Sequence, residues 1–448
     1  MKKISSAIFY TIAFCLAVMA GTFVLFKSFG LACVAPKIYT KQPLEQFNKN
    51  GDENCKNGSK NLQKYINCAS FNKSFANISV NNTQTLSLNN SKDYYTSAEA
   101  MALLEAKSGR LIASKEGNKK LPMASLTKII TAIVAIENNE DLDAKLEIPK
   151  AAVGIEGSSI YLRAGEHLTM RELLYGLMLR SGNDAAVAIA ILTSGSVDEF
   201  IKLANSFCAK LGATNTNLVT PNGLHDDNHY TTAEDLAKIT AYALKNKTFA
   251  EIVGTKYKTI DNELGKKEKN RLLKNKNKFL DMLEGADGVK TGYTKKAGRC
   301  FVGSSTRAED GMQVVCVLLN CNPMFQDCTK LIAQAQKDYK MYKLLDDTGY
   351  ESYINVSGSN NPTILCASKN GFSYPLTQQE YQSVRVIDNL NKKFTSPINN
   401  GQKVGEVQIL VDKSVIFCDN ILAKEEAQDN TYLGTLDKII DDFAMMPR

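Results

Sequence analysis

Leu121-Pro122-Met123-Ala124-Ser125-Leu126-Thr127-Lys128 leads straight into Ile129–Ile136, a run with almost no polar interruption. Such a run reads as a buried helix that begins near Ser125. Residues three apart share a helix face, so Ser125 and Lys128 stand side by side at its N-terminus. Burial against apolar neighbours favours a neutral amine, which makes Lys128 a candidate base for the Ser125 hydroxyl. Backbone N–H groups at the helix start can stabilise an oxyanion. On its own, Ser-x-x-Lys is usually a serine cap followed by a solvated lysine.

The composition narrows the chemistry. At 448 residues the chain predicts two to four domains of roughly 150 residues each. Hydrophobic and charged fractions of 44% and 23% exclude global disorder. A net charge of +7 is too mild on this length to require nucleic acid or another polyanion. His167, His225 and His229 are the only histidines. That scarcity argues against His-based catalysis and turns attention to Ser, Lys, Thr and carboxylates. His225 and His229 are one helical turn apart, but the surrounding Asn, Gly and Asp residues indicate a loop rather than a zinc helix. His167 reads as a surface or cap residue. The eleven cysteines show no CxxC spacing, so neither a zinc site nor another cofactor is expected. Cys55 and Cys68 are candidates for pairing, and most of the others read as small buried apolar residues.

Two further segments change the weight of the first. Arg180-Ser181-Gly182-Asn183-Asp184 lies between apolar Leu173–Leu179 and Ala185–Leu192. It is either an ordinary turn or a device that points Ser181 and Asn183 into a cleft. Asp287-Gly288-Val289-Lys290-Thr291-Gly292-Tyr293-Thr294 leads into Arg299–Ser304 and then Met312–Leu319, a strand pattern that places Lys290 on a strand. Gly292 on an inner strand suggests close approach of a ligand backbone. Ala98–Ser114 reads as a hairpin turning at Lys107-Ser108-Gly109, and Cys328–Leu344 as a closing helix. The Lys-rich stretch Lys266–Lys278 reads as a solvated loop.

Ser-Leu-Thr-Lys, Ser-Gly-Asn-Asp-Ala and Lys-Thr-Gly-x-Thr-x-x-Ala-Gly, in this order, resemble the low-molecular-mass penicillin-binding proteins, the D-alanyl-D-alanine carboxypeptidases. Asn222–Ala233 resembles them too, and the likeness runs from about Ser97 to Tyr350. It implies an α/β (α+β) DD-peptidase/β-lactamase-like catalytic domain, an antiparallel sheet flanked by helices, with a small C-terminal all-β domain. It implies Ser125 as nucleophile and Lys128 as base. Ser181 would relay protons, Asn183 would hold the substrate backbone, and Lys290 would supply fixed positive charge. Thr291, Gly292, Tyr293 and Thr294 would bind substrate, with hydroxyls of Thr291 and Thr294 on its terminal carboxylate. The oxyanion hole would be the N–H groups of Ser125 and Tyr293. The implied substrate is a peptidoglycan stem peptide, with β-lactam antibiotics as covalent inhibitors. One departure concerns the carboxylate: where relatives often carry an Arg after the last core strand, this chain has Met324, leaving Arg299 or Lys296 as candidates. The competing readings are a β-lactamase-like hydrolase and a non-catalytic wall-binding or morphogenetic protein. Against the first, no Glu-x-x-Leu-Asn lies between Ser181 and Lys290, Glu234-Asp235-Leu236 being near but mismatched.

The ends complete the organisation. Ile4–Phe26 is uncharged, preceded by Lys2-Lys3 and followed by Lys27. Its length meets the ~20 residues of a bilayer-spanning helix, with the bulk of the chain exported to the outer face of a bacterial cell membrane or wall. A cleaved signal peptide ending near Ala20 is the competing reading. The expected divisions are a membrane segment 1–33, an Asn/Ser/Lys-rich spacer 34–95, a catalytic domain 96–348, a β domain 349–430 and an amphipathic tail 431–448. The tail places Leu433, Leu436, Ile440 and Phe443 at helical spacing, but its polar face is acidic and predicts weak membrane contact.

Overall fold

The computed structural model describes residues 94–260, 270–391 and 393–430. The expected membrane segment, nearly all of the spacer with its Cys55–Cys68 pair, and the tail 431–448 lie outside the described residues. No helix among the described residues is long and apolar enough to cross a membrane.

The chain runs through β1 (Ala100–Glu105), β2 (Leu111–Lys115), a 3-10 turn Ala124–Leu126, α1 (Thr127–Glu137), β3 (Lys145–Glu147) and β4 (His167–Thr169). It continues with α2 (Met170–Leu179), α3 (Asn183–Ser194), α4 (Val197–Lys210), α5 (Ala233–Leu244) and α6 (Lys247–Gly254). Then come β5 (Tyr257–Ile260), β6 (Arg271–Lys274), β7 (Ala286–Thr294), β8 (Gly298–Thr306), β9 (Gln313–Leu319) and α7 (Met324–Asp338). Five strands form an antiparallel sheet in the order β2-β1-β9-β8-β7. Met101 and Leu103 of β1 and Val314, Cys316 and Leu318 of β9 join Cys328, Leu331, Ile332 and Ala335 of α7 in one core. Their alternates Ala102, Leu104, Val315, Val317 and Leu319 are buried as well, beneath the layer to which α5 and α6 belong. A sheet covered on both faces needs apolar residues at successive positions, which explains the unbroken runs in the sequence.

Helix α1 is buried from Thr127 through Ala135 and packs against α2 to α6. A helix apolar on every side belongs inside a helical layer. Thr169 caps α2 in a reciprocal pair with Glu172, so the cap is Thr169, and His167 is an exposed residue of β4.

Two expectations are corrected. The helix read over Cys328–Leu344 begins earlier and stops at Asp338, and Lys340–Leu345 form a strand, β10. The antiparallel partner that makes it a strand, Phe372–Leu376, is distant in sequence. The Lys-rich stretch is not all solvated loop: Arg271–Lys274 pair with β5, and Arg271 donates to both oxygens of buried Glu166 at 3.0 and 2.8 Å.

The remaining elements are β11 (Glu351–Ser357), β12 (Thr363–Ala367), β13 (Phe372–Leu376), α8 (Gln378–Gln382), β14 (Arg385–Leu390), β15 (Lys393–Thr395), β16 (Lys403–Val411) and β17 (Ser414–Ala423). Six of the strands form a sheet in the order β14-β16-β17-β12-β11-β15, and β10 pairs with β13. Buried Val407, Ile409 and Val411 alternate along β16, as one-sided burial requires. Arg110, from the turn after β1, reaches across to this part. It donates to the Pro375 carbonyl at 2.6 Å, pairs with Glu380 at 2.5 Å and lies over the rings of Tyr339 and Tyr374.

Candidate active site

Ala124 precedes the candidate nucleophile with φ +49°, a backbone conformation costly for any residue but glycine. The turn holding it is gripped from two sides. Gly292 of β7 passes so near that a Cβ there would stand 3.1 Å from the Met123 carbonyl and 3.3 Å from the Ser125 nitrogen. Gly292 thus lets strand β7 lie directly against the nucleophile turn. Gly223 abuts the other side, where a Cβ would fall 2.0 Å from the Ala124 carbonyl oxygen.

Lys128 has no solvent exposure. Its Nζ lies 3.0 Å from Ser125 Oγ, 2.7 Å from Asn183 Oδ1 and 2.5 Å from the Asn222 carbonyl. Burial holds its pKa well below the ordinary lysine range, and the charges of Lys290 and Lys276 push the same way, against a smaller opposing effect of Asp184. A neutral amine has two N–H bonds and one lone pair. Asn183 Oδ1 and the Asn222 carbonyl can only accept, so they take both N–H bonds. In that neutral form the lone pair is left for Ser125, whose O–H can donate to it. This arrangement can remove the serine proton at the moment of attack without any histidine.

Asn183 is fixed on all sides. Its backbone N–H donates to the Ser158 carbonyl at 2.6 Å and its Nδ2 to the Glu156 carbonyl at 2.5 Å. Its amide therefore bridges Lys128 to the loop 156–162. Asp184, buried beside it, accepts from Ser159 Oγ and the N–H groups of Ile160 and Leu162, fastening the same loop. Ser181 stands at φ +63° between α2 and α3 and is buried.

On the facing strand, Lys290 is buried and donates to the Thr291 carbonyl at 2.9 Å. Burial, aided by the charge of Lys276, pulls it down to about 7. Lys276 itself donates to Ser158 Oγ at 3.1 Å. Tyr293 is 65% exposed, and Thr294 accepts from the Ala297 N–H at 3.0 Å, shaping the β7–β8 turn. Met324 is buried in the core on α7, whereas Arg299 is exposed and pairs across the sheet with Tyr293. Glu234 accepts from Ser114 on β2 at 2.7 Å, and Asp235 from the Asn215 N–H at 2.8 Å, so both carboxylates are engaged in structural bonds. No cluster of metal-ligating side chains occurs among the described residues.

The structure therefore brings Ser125, Lys128 and Asn183 into one bonded cluster, with Gly292 of β7 against the same turn. Several roles were not read from the sequence: Asn222 as acceptor through its carbonyl, Asp184 as loop anchor, Lys276 as a nearby cation, and His229, weighed there only as a metal ligand, as a hydrogen-bond partner of Thr127. A backbone carbonyl carries no residue-type signal, but the run Asn222–Ala233 was the place to look.

Comparison with known proteins agrees with this geometry. Residues 87–322 match the family model described as D-alanyl-D-alanine carboxypeptidase, and residues 339–429 match that of the penicillin-binding protein 5 C-terminal domain. D-alanyl-D-alanine carboxypeptidase DacF of Bacillus subtilis (strain 168) is 29% identical over 355 residues, covering 77% of this chain and 90% of that relative. D-alanyl-D-alanine carboxypeptidase DacA of Escherichia coli (strain K12) is 30% identical over 365 residues, covering 78% and 87%. In fold, the chain is similar to penicillin binding protein 5 from Haemophilus influenzae, with a TM-score of 0.65, 24% identity and coverage of 75% and 98%. A serine and a buried lysine in mutual contact, on a sheet-and-helix frame matched along most of its length, lead to one conclusion: the chain belongs to the D-alanyl-D-alanine carboxypeptidase family and is a serine-type carboxypeptidase.

Proposed function

We propose that Ser125 attacks the carbonyl of the terminal D-Ala-D-Ala bond of a peptidoglycan stem peptide. Lys128 takes the Ser125 proton as the C–O bond forms. The proton passes to the departing nitrogen, D-alanine leaves, and water then hydrolyses the Ser125 ester. The observation that carries this reading is the buried Lys128 amine, held 3.0 Å from Ser125 Oγ by two fixed acceptors, Asn183 Oδ1 and the Asn222 carbonyl. The backbone N–H groups of Ser125 and Tyr293 would hold the oxyanion. Lys290 supplies positive charge beside it, and the Ser181 hydroxyl acts as a proton relay. Thr291 and Thr294 bind the terminal carboxylate, with Arg299 as the added cation, a choice supported by its cross-strand position opposite Tyr293.

β-Lactams would acylate the same serine. A lactamase-like reading is disfavoured because Glu234 and Asp235 are engaged elsewhere, and a non-catalytic reading because the Ser125–Lys128 contact is intact. The uncharged run Ile4–Phe26 supports anchorage on the outer face of the membrane, with the spacer to residue 95 leading to a catalytic part 96–348 and a β part 349–430.

The test is covalent labelling of the full chain with a penicillin, followed by peptide mass spectrometry. The adduct is expected on Ser125, and Ser125→Ala should lose both the adduct and the release of D-alanine from a stem pentapeptide. Persistent labelling of that variant would remove Ser125 from its role. The same spectra, read at the N-terminus, distinguish a retained segment 1–33 from a cleaved one.

A further inference from the structure

His229 is 3% exposed and lies on the loop that follows the Asn222-Gly223 turn. Its Nδ1 sits 3.0 Å from the Val219 nitrogen and 3.3 Å from the Thr220 nitrogen. Both are backbone N–H donors, so Nδ1 is the acceptor and carries no proton. The ring proton is therefore on Nε2, which lies 2.7 Å from Thr127 Oγ1 and donates to it. The Thr127 hydroxyl passes its own proton onward, donating to the Ala124 carbonyl at 2.8 Å. That carbonyl belongs to the left-handed residue just before Ser125.

The other edge of the ring bears on Lys128. Val219 and Thr220, held by Nδ1, begin the segment whose Asn222 carbonyl receives Lys128 at 2.5 Å and whose Pro221 carbonyl receives the Thr131 hydroxyl at 2.7 Å. One imidazole thus fixes the backbone that presents Ser125 and the backbone that orients the Lys128 amine. The charged or titratable groups acting on the ring are Asp226, His225 and Lys128. Burial holds the imidazole down to about 4, which keeps Nδ1 free to accept at neutral pH.

We propose that His229 is a positioning residue for acylation, acting through Thr127 on the Ser125 turn and through Val219 and Thr220 on the Asn222 carbonyl. The inference rests on the reading of Ser125 and Lys128 as nucleophile and base. A sub-ångström error at this pair is costly because the proton must leave Ser125 as the new bond forms.

The test uses the full chain and a fluorescent penicillin. It measures the limiting acylation rate separately from the concentration dependence of binding, with a melting curve for each variant. His229→Asn keeps an acceptor near the Nδ1 position but cannot reach Thr127. Thr127→Val removes the hydroxyl, and Thr127→Ser restores it. Acylation by folded His229→Asn and Thr127→Val protein should fall about 10- to 100-fold, the scale of a small misplacement of reacting groups. The concentration dependence should stay unchanged. Thr127→Ser should stay within about threefold of wild type, and the double variant should be no worse than the weaker single one, since both break one chain of bonds. Lowered melting temperature with unchanged acylation by the folded fraction would reduce His229 to a structural residue and overturn the proposal. Should His229→Asn fail to fold, Thr127→Val alone decides, and wild-type acylation in that variant overturns it. An adduct that maps away from Ser125 in wild-type protein would instead overturn the underlying reading, and this one with it.

Discussion

Two buried bases, Lys128 and His229, flank Thr127, and burial pushes both toward their neutral forms. Their consequences for stability share a sign. A base whose folded pKa lies below its unfolded one binds fewer protons in the native state, so stability falls as pH falls between the two values. For His229 the window runs from 6.5, the ordinary imidazole value, down to about 4. The stabilisation is full above the window and gone below it, a span of about 3 kcal/mol. The melting temperature of the wild-type chain should therefore decline through this window, and His229→Asn should flatten the decline. Parallel curves for the two proteins would show that His229 does not titrate as a buried neutral ring. Lys290, drawn down to about 7, has already lost its contribution as pH falls from 10.5 to about 7, above the His229 window, and so is separable from this effect. Ser125 and Lys128 were legible in the sequence because their spacing on a helix carries the chemistry. His229 was not, because only the fold brings Val219, Thr220 and Thr127 to its two nitrogens.

Among the elements, β6 best shows how a site is framed from a distance. Arg271 on this strand donates to both oxygens of Glu166 and to the Tyr161 carbonyl at 3.0 Å. It ties the strand to the far end of the loop that Asp184 and Asn183 hold. Glu166 is 3% exposed, so deleting its partner leaves a nearly dry carboxylate. Arg271→Ala should cost about 3–5 kcal/mol, and Arg271→Lys, which keeps a charged donor but loses the planar group that also reaches the Tyr161 carbonyl, should recover only part of it. Thermal denaturation checks this, and a loss below about 1 kcal/mol, the value of a solvated surface pair, would contradict burial of the pair. The charge pattern Lys266–Lys278 concealed this strand. The apolar spacing of α1, β8 and β9 was readable because each is covered on every side, whereas β6 has only four residues, two of them charged, and buries Leu273 alone. The β10 strand was hidden for a related reason: its β13 partner is distant in sequence, and helix periodicity runs on locally past Asp338.

For the molecule as a whole, the two halves meet where Arg110 is enclosed by Tyr339, Tyr374, Glu380 and the Pro375 carbonyl. The β1–β2 hairpin that carries Arg110 is also an edge of the five-stranded sheet, so the β part is joined to the same sheet that supplies Lys290. Lys276 acts on both Lys128 and Lys290 across the cleft, and Arg180 adds its charge beside Lys276, so the positive charge there is carried by Lys276, Arg180 and the protonated fraction of Lys290 rather than by the neutral Lys128. Such a cluster projects a positive potential into the solvent, and clefts with low-dielectric walls concentrate it. Before any bond is made, the cleft therefore works as a collector of anions: a ligand ending in a carboxylate is drawn in faster than diffusion alone would bring it. Salt should erase this advantage. Between roughly 0.05 and 0.5 M salt, encounter with an anionic β-lactam should slow several-fold, while a neutral ester of the same compound should hardly respond. Equal salt responses for the two would mean that arrival is governed by shape alone. If the difference appears, the cations that surround the proton-transfer pair also determine which molecules reach it first.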